Sequence, residues 1–322
     1  MRKKKLILFI SVLLTIYLLQ GCTTHQKLKS IEGEWYQNQA MPYALAEFAS
    51  TIHNETIYFG GGFEPEGITS SLFIKYNPHN NNFTQLQNIP IGLHHTSIAY
   101  LNGKIYLAGG WENLSYEATN YFYKYNTKNN TWTKKEEMPY ARAAHRVIPY
   151  NNSIYVIGGV GESPETILKY TINENRWKEV IDLPVKKEHH TVEIYNKKIY
   201  IVSGRWNGRN IASVTVLNLE TKEFSSIPIP KGVSGHASTI IGNKLHIIGG
   251  ENLQTIKSYN THQILNLETE QLYHGAPLPT KRHGHHSHTY NNSIIVLGGA
   301  IDAEYNTFKT TTAMIHTWKN NK

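Results

Sequence analysis

Cysteine is nearly absent: the 322 residues contain one, Cys22. A body without a second thiol has no disulfide, no CxxC metal knuckle and no thiol nucleophile. Aspartate is almost as scarce. It occurs only at Asp182 and Asp302 among 24 acidic residues, which excludes aspartate-rich calcium loops. Charged residues make up 17% of the chain against 40% apolar and 11% aromatic, so the chain is neither disordered, nor a coiled coil, nor a polytopic membrane protein. No body segment has a helical period. The GxSxG, P-loop and dinucleotide fingerprints are missing too. What remains is a globular protein long enough to bury about three quarters of its unfolded surface.

The amino terminus reads as an address. Arg2, Lys3, Lys4 and Lys5 precede an apolar run from Leu6 to Leu19 that ends in Gln20, Gly21 and Cys22. A spanning helix needs roughly 20 apolar residues, so a cleaved signal is the better reading. Small residues before a lone cysteine resemble the lipobox of bacterial lipoproteins. The resemblance implies a signal peptide over 1–21, acylation of Cys22 and a tether over 22–30. Thr23 after the cysteine implies the outer membrane in a two-membrane cell. The formal net charge of +8 falls to +4 without the leader's four cations, and the remaining Lys and Arg are scattered, which excludes a nucleic-acid stripe.

Six similar strings follow: TIYFGGG ending at Gly62, KIYLAGG at Gly110, SIYVIGG at Gly159, KIYIVSG at Gly204, KLHIIGG at Gly250 and SIIVLGG at Gly299. An aromatic with proline seven residues on keeps the same time, as in Trp35 to Pro42, Phe83 to Pro90, Trp132 to Pro139 and Trp177 to Pro184. A period just under 50 with a double glycine resembles Kelch repeats, four strands to each propeller blade. The fold expected is all-β, a six-bladed Kelch-type β-propeller over 31–319. Its last blade lacks an outer strand while the segment around Trp35 is spare, so the N-terminal strand should close the ring.

Two variable sets converge on one face. The first precedes each double glycine by about thirteen residues: His94, His95, His145, His189, His190, His236, His283, His285 and His286. The second follows the glycines and includes Trp111, Glu112, Arg205, Trp206 and Glu251. Kelch repeats often set a polar residue at the first position to bond the neighbouring blade. As a group, the imidazoles could instead form an axial site that exchanges protons near neutral pH. Trp111 and Trp206 either stack on a sugar or a partner, or cap the core. Arg142 and Arg205 suit a carboxylate. The ligand-binding set expected is therefore His95, Trp111, Glu112, Arg142, His145, His190, Arg205, Trp206, His236 and His285. No metal and no cofactor is expected: HExxH is missing, and a ring about an axis should hold imidazoles too far apart to chelate.

Two functions fit. One is a lipid-anchored envelope protein that binds a carbohydrate or protein through one face. The other rests on a distant similarity to the N-acetylneuraminate epimerases, the sialic acid mutarotases. Their proposed base is a Glu after a blade's glycine with an Arg six residues on, which implies Glu251 here, with Lys257 standing where that family has Arg.

Overall fold

A computed structural model describes residues 28–114, 116–303 and 307–320. Six four-stranded antiparallel sheets follow one another, the first built from Ala49–His53, Thr56–Gly60, Phe73–Asn77 and Asn82–Gln85. The second strand of each is the most buried; every residue of Ser153–Ile157 is inaccessible, as expected where blades cover both sides. Two families of turn divide the disc into two faces. Tight hairpins such as Asn102-Gly103 and Asn151-Asn152 adopt positive φ at both central positions and lie on one face. Longer loops after the double glycines, with those leading into the next blade, lie on the other.

The sixth blade closes as the ends of the sequence predict. Strand Gly33–Gln37 pairs antiparallel with Ile315–Asn320, Trp35 opposite Trp318. The periodic tryptophans hold neighbouring blades: Trp132 Nε1 donates to Gln87 O at 2.9 Å, Trp177 Nε1 to Glu136 O at 3.0 Å and Trp35 Nε1 to Ala276 O at 2.8 Å. One expectation changes. Lys29–Ser30, read as the end of a tether, is a strand parallel to Leu272–His274 on the outer edge of blade five. That edge offered unpaired backbone groups, and a short segment bonds to them.

Double glycines are needed because blades meet there. Gly158 sits at φ 63°, and a Cβ on it would lie 2.5 Å from Cε1 of His190 in the next blade.

Six peptide groups, one from each blade, circle the axis. Glu47 N bonds Gly284 O, Gly284 N bonds Gly235 O, Gly235 N bonds His189 O, His189 N bonds Ala144 O, Ala144 N bonds His95 O and His95 N bonds Glu47 O, at 2.7–3.0 Å. All six residues lie in the left-handed region, φ 50–60°. The circle is a closed chain of hydrogen bonds, and its members are fixed in angle as well as in place.

From the ring, toward the hairpin face, runs an axial well of about 300 Å³ lined by the six inner strands, with Ser50, Ser97, Arg146, Glu193, Ser238 and His288 in its wall. Burial pushes the Glu193 carboxyl up to about 8, although Ser238 Oγ donates to it at 2.9 Å. The folded protein therefore keeps this proton up to about pH 8, whereas the unfolded chain releases it near 4.5. Stability should fall as pH rises through that window, because the unfolded state binds fewer protons there. Glu193→Gln should flatten this slope and, with the well's water moderating the cost, stabilise the protein at pH 9 by about 2 kcal/mol. Urea melts at pH 5 and pH 9 measure it, and equal slopes for both proteins would contradict it.

Candidate functional site

The histidine set occupies four adjacent positions in the repeat, and each points its ring differently. His94 and His283 come first; His95 and His189 stand on the axial peptide ring; His145, His190, His236 and His285 follow; His286 begins an inner strand. The third group is wedged between blades. A Cβ on Gly109 would lie 2.8 Å from His145 Cε1, and one on Gly249 would lie 2.7 Å from His285 Cε1. His236 Nε2 meets Thr191 Oγ1 at 3.0 Å. Burial lowers the His145 and His236 rings to about 3 and pushes His190 and His285 well below the usual range. These four are fully covered and hold blade to blade, the packing role that a repeated polar position predicts.

Arg142 is likewise covered. Its Nε donates to Glu162 O at 3.2 Å, its Nη1 to Gly158 O at 3.5 Å and its Nη2 to Ser163 O, so this guanidinium ties down its own blade's loop rather than facing the mouth. Trp111 is 8% exposed and packs on Ala143 and Ala144, with the His95 ring 4.7 Å away; it caps the core. Glu112 accepts from Tyr121 OH at 2.5 Å on the outer side of its loop. Trp206 is half-buried, with Lys186 Nζ 5.8 Å from its ring. Cys22 lies outside the described residues.

What the structure brings together is a buried polar cluster on the loop side of the ring: Glu47, His95, Glu188, His189, Arg205, Glu251 and His283. Arg205 joins blades four and five. Its Nε donates to Glu188 Oε1 at 2.7 Å, and its Nη1 donates to Glu251 Oε1 at 2.5 Å and Ser234 Oγ at 3.2 Å. The free side of Glu251 faces His283 Nδ1 at 3.3 Å. Lys257 is no part of this. In the hairpin of Glu251–Asn252 with Lys257–Ser258, Glu251 is opposite Ser258, so the buried Glu251 and the exposed Lys257 project from opposite sides. The cation beside Glu251 is Arg205, from another blade.

Burial pushes the Glu47 carboxyl up to about 7, opposed by Arg146 and Arg205. The same burial lowers His94 to about 4 and holds His95 and His189 well below the usual imidazole range. Near neutral pH the cluster therefore contains neutral imidazoles. His95, His189 and Glu47 also correct the expectation about spacing, since their donor atoms all lie within 4.8 Å of one another. The ring position presents its side chain over the axis while the very next residue turns its ring between blades, and sequence spacing alone merged the two. Glu47, which precedes no recognisable string of histidines, was missed; its signal was alignment with His95 one repeat later.

Around this centre the loops carry apolar side chains into solvent. Among the described residues seven large apolar side chains are exposed, and six of them, Tyr43, Ile68, Leu114, Tyr116, Val185 and Ile256, lie on loops of this one face.

A β-propeller of six such blades, with double glycines at the blade junctions and its functional loops on one face, is the class that fold and site define. The KLHDC2/KLHL20/DRC7 Kelch-repeats domain matches residues 47–250 and, one blade on, 94–299. The chain belongs to the Kelch-repeat family. The Kelch repeat and BTB domain-containing protein 1 of cowpox virus (strain GRI-90) is 26% identical over 97 residues, 29% of this chain and 17% of the viral protein. Its counterpart in vaccinia virus (strain Copenhagen) is 27% identical over 97 residues, with the same shares of each chain. The similarity thus spans less than a fifth of those relatives' length. The solved structure of YjhT superposes with a TM-score of 0.74 over 86% of this chain and 95% of the other, at 19% identity, a likeness of fold.

Proposed function

We propose that the protein is an envelope receptor, tethered by acylated Cys22, that binds a protein partner on its loop face. The observation that carries this is the concentration of exposed Tyr, Leu, Ile and Val side chains on that face, around a polar centre. Exposed apolar side chains gathered on one face suit a protein surface. The sugar-stacking use of Trp111 loses support, because that indole is packed under the loop.

The direction of the chain supports the same reading. Lys29–Ser30 runs parallel to Leu272–His274, a strand that climbs from the hairpin face to the loop face. Residue 28 therefore leaves toward the hairpin face. Six residues lie between Cys22 and Lys29, a reach of at most about 25 Å over seven Cα steps, so a lipid at Cys22 would set the hairpin face toward the bilayer and the loop face outward. No helix among the described residues is long and apolar enough to cross a membrane.

A photoreactive phenylalanine analogue placed at Tyr116 or Ile256, in cells, should give one discrete cross-linked product that the same analogue at Asn80 or Asn129, in the opposite hairpins, does not. Equal products from both faces, or none from the loop face, would refute the proposal. The second reading, a sugar mutarotase with Glu251 as base, draws on the Arg205 and His283 contacts to that carboxylate. Exchange of N-acetylneuraminate anomers followed by NMR separates the readings: no acceleration over buffer, or equal rates with Glu251→Gln, ends the second.

A further inference from the structure

The axial peptide ring carries three side chains with donor atoms, Glu47, His95 and His189, while its other positions are Ala144, Gly235 and Gly284. We propose that the trio is a divalent transition-metal site of two imidazoles and one carboxylate, with the side of the ring formed by Gly235 and Gly284 left open to an outside ligand. This goes beyond the receptor reading and does not rest on it.

Hydrogen bonding fixes the tautomers. His94 Nε2 lies 3.0 Å from Asn113 O, a carbonyl that can only accept, so this nitrogen carries the proton and His94 Nδ1 carries a lone pair. His95 Nδ1, 2.7 Å from that lone pair, must donate to it. His95 Nε2 is then left with a lone pair, and it faces Glu47 Oε2 at 3.4 Å. A lone pair aimed at an ionised carboxylate repels it unless a proton or a metal cation sits between them, and a metal can take both as ligands. His189 repeats the arrangement: its Nδ1 bonds the Glu188 carboxylate, which leaves its Nε2 as a lone pair on a ring that has a donor atom within 4.8 Å of those of Glu47 and His95. Each imidazole thus has its outer nitrogen anchored and its inner nitrogen presented, the usual build of a metal-ligating histidine.

Arg205 does not block this. Its Nη2 is 3.2 Å from His189 Nδ1 and 3.3 Å from Nε2. An atom nearly equidistant from both nitrogens at that range stands over the ring face, since in the ring plane it would collide with Cε1. The in-plane lone pair stays clear. The charges also favour a cation once Glu47 is ionised: Glu47, Glu188 and Glu251 then exceed Arg205 and the adjacent Arg146 by one negative charge with the imidazoles neutral. Backbone cost points the same way. Blades five and six meet the left-handed requirement of the ring with glycine, whereas Glu47, His95, Ala144 and His189 adopt φ of 51°, 53°, 53° and 50° with side chains, and three of these four strained positions place donors over the axis.

Titration of the metal-free full chain with Co²⁺ or Zn²⁺ tests the site. One equivalent should bind with visible Co²⁺ d–d absorption and a raised melting temperature. His95→Ala, His189→Ala and Glu47→Gln should each weaken binding at least tenfold, as should His94→Ala, which removes only the acceptor that orients His95, while the exposed His79→Ala changes nothing. X-ray absorption of the loaded wild-type chain provides a readout independent of variant folding, and two imidazole ligands are expected. No saturable uptake below about 100 μM, uptake insensitive to all four substitutions, or a ligand shell with fewer than two imidazoles would overturn the proposal.

Discussion

Replacing Trp318 with alanine should cost about 3–5 kcal/mol and loosen the whole disc, because this side chain joins the two ends of the chain. It is 1% exposed and lies in a core shared with Ile248, Leu278, Ile294 and Val296, with Ile31 and Trp35 packed against it. Across the strand pair it faces Trp35, and the His246 and His262 rings lie 5.2 and 5.3 Å away. Gly33 passes directly over the indole and, having no side chain, cannot fill the hole that alanine leaves. The remaining cavity is walled by two sheets that cannot collapse without breaking their register. Loss of closure also frees the backbone edge of Ile315–Asn320, which invites pairing between molecules. Urea melts and size-exclusion chromatography measure both effects. A variant within about 1 kcal/mol of the parent and fully monomeric would show that the strand pair alone closes the ring.

Arg205→Met should be nearly as damaging, by about 3–5 kcal/mol at pH 7, since it strands two buried carboxylates rather than one. Glu188 and Glu251 come from different blades and share this guanidinium as their common counter-ion. Without it they face one another across an enclosed cluster, and Glu251 keeps only His283 beside it. Removing the charge as well as its partner should restore part of the loss: the Arg205→Met, Glu251→Gln double variant is expected to recover at least 1 kcal/mol by chemical denaturation. Arg205→Lys should fall between, because an ammonium cannot reach both acids with the same fork. An Arg205→Met protein as stable as wild type would mean that water enters the cluster freely.

The blade count, the closing strand and the face that carries the variable loops were legible because a propeller repeats its backbone and each wedge reports the same burial pattern. Strings such as Ser153–Ile157 announce a strand covered on both sides whatever surrounds it. The site was legible only in part. Nine histidines within a few residues of each repeat mark looked like one position, yet His94, His95, His145 and His286 stand at four successive places and turn to different surroundings. One residue of register separates a ring wedged under Gly109 from one standing over the axis. Arg142 and Arg205 looked equivalent as loop cations, but three backbone carbonyls consume the first, whereas the second spans two blades to reach its acids. Those distinctions depend on which neighbours lie across blade junctions, and no local pattern encodes them. Glu251 and Lys257 show the converse: six residues apart in a hairpin, they stand on opposite sides of it.

The latch between Gly33–Gln37 and Ile315–Asn320 also imposes an order of events in time. One half is synthesised well over 200 residues before its mate, an interval on the order of tens of seconds at ordinary ribosomal speeds. Throughout that wait the earliest strand has no companion, and the nascent assembly is a horseshoe rather than a wheel. A cell that makes this protein must therefore shield an unfinished sheet until Ile315–Asn320 arrives, and a ribosome stalled short of that strand leaves a product with two sticky edges.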